Sequence, residues 1–82
     1  MFDVQVMVRL KKGVSDPEGK NTEKALHLLG FEDVQKVSTY RVFEIQVNGS
    51  NKQKVKDTVE QMCQRLLTNP VIHDYKISID EI

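Results

Sequence analysis

Between Ser50 and Tyr75 the chain carries its clearest periodic signal. Val55, Val59, Met62, Cys63, Leu66 and Leu67 fall on one stripe of a helix with about 3.6 residues per turn. Ser50, with Gln53 as its capping-box partner, reads as the start of this helix. Asn69-Pro70 stops it, because the proline ring disfavours helix at and before the preceding residue. Tyr75, Ile77 and Ile79 then alternate with Asp74, Lys76, Ser78 and Asp80 as a strand. An apolar helical stripe needs a surface to lie on. The start of the chain offers one: Phe2, Val4, Val6, Val8 and Leu10 alternate with mostly polar neighbours, the pattern of a strand with one face in a core.

A second helix follows the first strand. Lys11 to Ser15 is a connection, Asp16 fits an N-cap, and Pro17 fits the first helical position, where its missing N–H costs nothing. Thr22, Ala25, Leu26 and Leu29 share a face that the pattern predicts to be buried. Gly30 reads as the left-handed residue that ends the helix, with Phe31 folding back on its last turn. From Val34 to Val47 the chain is strand-like but poorly divided. Phe43, Ile45 and Val47 make a clear strand, Val37 and Thr39 suggest an earlier one, and one long bent strand is the alternative. Asn48-Gly49 marks the turn into the later helix. The order βαββαβ predicts an α+β, ferredoxin-like domain spanning residues 1–82: a four-stranded antiparallel sheet with two helices on one face. The other face, with Gln5, Met7, Arg9, Glu44, Gln46, Lys76 and Ser78, is then left uncovered.

Charge narrows the function classes. Lys plus Arg and Asp plus Glu number 12 each among 82 residues, so the balance is neutral. A dedicated nucleic-acid binder would carry a basic excess, and an anionic membrane surface would call for one too. An RNA-recognition module of this topology needs aromatic residues on the outer sheet face, where the pattern places none. No apolar run is long enough to span a bilayer, the opening residues pattern as a strand and not a signal peptide, and a lone cysteine suits a reducing cytoplasm.

Candidate chemistry is sparse. The stretch from Gly13 to Thr22 has glycines and Lys20 before a helix, but its spacing departs from a phosphate loop, and Asp16 and Glu18 would repel an anion. Cys63 lies on the buried stripe, where an apolar setting makes a thiol inert. His27 and His73 have no partner at metal-ligand spacing, and Asp74 and Asp80 stand about 20 Å apart along a strand, too far for joint acid–base work. Lys52 and Lys56 form a solvated face or a docking patch for an acidic partner. From the residues alone, catalytic, cofactor and metal sites are all read as none. A stand-alone regulatory module that binds a small molecule at a subunit interface stays open.

Three segments carry a resemblance: Lys11 to Lys20, with its Gly-Val-Ser-Asp-Pro-Glu-Gly core; Ala25 to Phe31; and Met62 to Tyr75, with Leu-Leu-Thr-Asn-Pro-Val-Ile-His-Asp-Tyr. In order and length they resemble the PurS family, the small subunit of phosphoribosylformylglycinamidine (FGAM) synthase. The resemblance implies a non-catalytic subunit in de novo purine biosynthesis. It bridges a glutaminase subunit and a large, ATP-dependent synthetase subunit and supports ammonia transfer between them. ATP, Mg and glutamine would be used by those partners, with no cofactor in this chain, and the subunit would form a homodimer or higher homo-oligomer in the cytoplasm. Asp16, Pro17 and Gly19, with Asn69 and Pro70, are the candidate partner or dimer contacts, the alternative being that they only cap helices.

Overall fold

The computed structural model describes Met1–Ile82. Its elements run β1 (Phe2–Leu10), α1 (Pro17–Leu28), β2 (Arg41–Val47), α2 (Lys52–Met62), a π-helical turn (Cys63–Leu67) and β3 (His73–Glu81). β1 lies at the centre of an antiparallel sheet of order β2-β1-β3. Val4 pairs with Ile45 on one side and Ile79 on the other, and Val6 with Phe43 and Ile77, so three alternating patterns share one inward face.

α2 lies on that face. Val55, Val59 and Cys63 close over Phe2, Val4, Val6 and Val8 to make the core, with the inward residues of β2 and β3 half-buried at its margins. Val59 is wholly buried; hiding a side chain of that kind from water contributes about 1.5–3 kcal/mol. Asn51, not Ser50, caps the helix: its side-chain oxygen accepts from the N–H groups of Gln53 (2.9 Å) and Lys54 (3.3 Å).

Three further expectations need correction. The sheet has three strands, not four. Residues 34–40 join no ladder; the Thr39 N–H, which a ladder would use, is donated to the Asp16 carboxylate at 2.9 Å. Leu66, placed on the buried stripe by helical period, is 83% exposed. The π-helical turn inserts one extra residue: both the N–H and the hydroxyl of Thr68 bond the carbonyl of Cys63, at 3.0 and 2.9 Å. The helical phase therefore shifts after Cys63. The third correction is the largest. α1 forms where its caps put it, yet it does not pack on the sheet: Ala25 is exposed, Leu26 half-buried, Leu28 83% and Leu29 73% exposed.

The shape follows from that last point. The radius of gyration is 16.3 Å and the extents are 51 × 28 × 14 Å, whereas a compact chain of this length has a radius near 12 Å. α1, with the segment that returns from it, is an arm. No helix is long and apolar enough to cross a membrane.

Candidate functional site

The arm leaves the sheet where β1 ends. Gly13 turns the chain with φ +89, a left-handed conformation that suits glycine. Asp16 follows as the cap of α1, but its carboxylate does more than cap. Oδ1 accepts from the Gly19 N–H at 2.9 Å and from the Thr39 hydroxyl at 2.8 Å, and Oδ2 accepts the Thr39 N–H at 2.9 Å. One side chain thus ties the outgoing segment of the arm to the returning one. The Gly19 N–H, then the Thr39 N–H and hydroxyl, hold this carboxyl below the ordinary 3.8; partial burial opposes them and Lys36 adds to them.

Pro17 opens the helix at its first position. Gly19 lets two backbones meet, since a Cβ there would stand 2.5 Å from the Val37 carbonyl oxygen and 2.6 Å from Asp16 Oδ2. At the far end of the arm, Gly30 (φ +97) stops α1, the Phe31 N–H reaches back to the Leu26 carbonyl at 3.0 Å, and His27 Nε2 bonds the Val34 carbonyl at 2.6 Å.

The second candidate segment forms a tight turn into β3. Asn69 Oδ1 accepts from the Val71 N–H at 3.0 Å, the Asn69 N–H donates to His73 Nδ1 at 2.8 Å, and the Asn69 carbonyl accepts from Ile72 and His73 at 3.0 and 2.8 Å. Pro70, one position on, supplies a fixed φ and no donor. The Lys11 N–H bonds the Ile72 carbonyl at 2.8 Å, which fastens this turn beside the root of the arm. Asp16, Pro17 and Gly19 therefore come to the same end of the sheet as Asn69 and Pro70.

Between the arm and that end lies a cleft of about 730 Å³. Arg9, Lys11, Lys12, Lys20 and Lys36 border it together with Asp16, Glu23 and Asp74, so both signs of charge line it. No group of three or more His, Cys, Asp or Glu side chains stands close enough to hold a metal ion. Cys63 is buried and its thiol is pushed up, by desolvation first and by Glu60 second, which favours the uncharged thiol. The arrangement offers surfaces and a charged cleft.

Sequence reasoning missed two features. Thr39 patterns as a strand residue, and nothing local marks it as a partner of Asp16, 23 positions away. The outer sheet face also has an apolar centre: Val42 pairs with Met7, both are exposed, and Tyr40 continues the row beside a shallow hollow of about 190 Å³. The alternation of Val42 with Phe43 was the available signal.

A family model described as PurS, phosphoribosylformylglycinamidine (FGAM) synthase, matches residues 3–81. The chain belongs to the PurS family. The PurS subunit of FGAM synthase from Methanocaldococcus jannaschii is 49% identical over 82 residues, covering 100% of this chain and 99% of that protein. The Bacillus subtilis PurS subunit is 35% identical over 82 residues, covering 100% and 96%. Among solved structures, M. jannaschii PurS, a subunit of formylglycinamide ribonucleotide amidotransferase in the purine biosynthetic pathway, superposes with TM-score 0.92 at 48% identity, covering 100% and 99%. PurS-like topology also matches the structure of PurLQS from Thermotoga maritima, with TM-score 0.88 at 28% identity and 96% of each chain covered.

Proposed function

We propose that this chain is the small, non-catalytic PurS subunit of FGAM synthase, acting in cytoplasmic purine biosynthesis. The observation that carries this reading is the family match along nearly the whole chain. The subunit bridges the large synthetase (PurL) and the glutaminase (PurQ) and supports passage of ammonia from one to the other. ATP, Mg and glutamine are consumed at the partner subunits. The PurLQS neighbour supports assembly with both.

The chain also self-associates. Leu28, Leu29, Phe31, Leu66 and Val71 are 58–83% exposed, and association would remove such side chains from water. The arm root (Asp16, Pro17, Gly19) and the turn at Asn69-Pro70 shape these contacts by fixing how the arm leaves the sheet.

The test is reconstitution with the two catalytic subunits. Glutamine-dependent FGAM formation should require this chain, whereas formation from free ammonia should depend on it far less. Equal loss of both activities, or of neither, would refute the bridging role. A stand-alone regulatory module would instead melt at higher temperature with a small metabolite and would not co-elute with the catalytic subunits.

A further inference from the structure

The bridging role leaves the cleft between the arm and the end of the sheet unassigned. Its walls come from three stretches that are separate in sequence. Lys11 and Lys12 follow β1, Lys20 stands on α1, and Lys36 belongs to the segment that returns from the arm. With Arg9 these make five cationic side chains, against the three carboxylates of Asp16, Glu23 and Asp74. The whole chain balances at 12 charges of each sign, so the positive excess is a property of this cleft. Like charges gathered round a hollow raise its potential and draw an anion into it.

In sequence, Asp16 and Glu18 stand against an anion near Lys20. The fold removes both objections. Asp16 directs its carboxylate into a clamp at the arm's root, where it takes three hydrogen bonds of 2.8–2.9 Å from Gly19 and Thr39, and Lys36 stands close enough to act on it. Glu18 does not line the cleft. Asp74 is opposite Arg9 in the β1–β3 register, so those two charges offset each other. What remains is four lysines, one of them shared with Asp16, against Glu23.

We propose that this cleft binds a small phosphorylated metabolite, a phosphate monoester or diphosphate, with its anionic group held among Lys11, Lys12, Lys20 and Lys36. Lysine ammonium groups recognise phosphate as point charges and hydrogen-bond donors, and a phosphate group brings about two negative charges at neutral pH. Ser15 and Ser38 add hydroxyls to the lining, and only four of its 17 residues are hydrophobic, too few to select an apolar ligand. The volume of about 730 Å³ is that of a small-molecule pocket. A small ligand fits better than an acidic protein segment because the lysines line a hollow from both of its walls. Since Lys20 and Lys36 belong to the arm and Lys11 and Lys12 to its root, the bound anion fastens the arm where it leaves the sheet. None of this depends on assembly with PurL or PurQ.

Isothermal titration of the full-length chain with sodium pyrophosphate, at ionic strength held constant with sodium chloride, tests the site. Saturable binding of one anion per chain is expected. Lys12→Gln and Lys20→Gln, at exposed positions, should each raise the Kd about two- to fivefold, the loss of one screened charge contact. Lys56→Gln, on α2 and outside the cleft, should leave it unchanged. Glu23→Gln should lower the Kd about twofold, because it removes the carboxylate that opposes the anion. Heats that never saturate, or weakening by Lys56→Gln equal to that by the cleft variants, would reduce the effect to general attraction and overturn the site. Binding of hexaglutamate without binding of pyrophosphate would overturn it too, in favour of an acidic segment of a partner protein.

Discussion

Replacing Gly19 by alanine isolates the meeting of two backbones at the root of the arm. The added Cβ would lie 2.5 Å from the Val37 carbonyl oxygen, where ordinary contact begins near 3.4 Å. One backbone must therefore yield by about 0.9 Å. Val37 has little freedom to do so, because Thr39 is held through both its N–H and its hydroxyl. Overpacking of this kind costs about 1–3 kcal/mol. Alanine offsets up to about 1 kcal/mol of that through its better helix propensity. A net loss of about 1–2 kcal/mol lowers the melting temperature of a domain this size by about 5–12 °C. Thermal unfolding followed by circular dichroism at one fixed chain concentration measures it, since association would otherwise shift the midpoint. A Gly19→Ala protein that melts at or above the wild-type temperature would show that the close approach is not a constraint, and the account of this motif as a clamp would fall.

Four further outcomes follow from the same geometry. The Asp16 carboxyl titrates below its ordinary 3.8 because the folded state donates to its ionised form; its contribution is whole above that value and drains away as pH falls through and below it, so stability of Asp16→Asn should decline less steeply below about pH 4 than that of wild type in urea titrations. Val59→Ala, at a wholly buried position, should lower urea stability by about 2 kcal/mol. Gly49→Ala places a Cβ 2.8 Å from Val55 Cγ2 and should cost about 1 kcal/mol, less than Gly19→Ala, because a side chain yields more readily than a carbonyl. Asn69→Ala removes the acceptor for the Val71 N–H and should cost about 1 kcal/mol; if the protein that remains folded still joins the catalytic subunits, Asn69 is structural and not a contact.

Local chemistry was legible wherever neighbouring residues decide the outcome. Alternation along β1 and β3 named the buried face, because side chains on a strand can only point one way or the other. Asp16-Pro17 and Gly30 named the ends of α1, because caps are settled within a turn of helix. The Val55, Val59, Cys63 stripe named the helix that covers the sheet. What period could not convey was phase and destination. One residue inserted at the π-helical turn carried Leu66 into solvent, although the pattern before it was sound. An amphipathic α1 had to be covered by something, and amphipathicity is silent on whether the cover belongs to the same chain. That was decided by a contact between residues far apart in sequence: Asp16 takes the N–H that Thr39 would have given to a fourth strand, and the segment that reads as a strand becomes instead one side of an arm. Helices and strands arise from neighbours in sequence; which surface each one meets arises from neighbours in space, and only the folded chain brings those together.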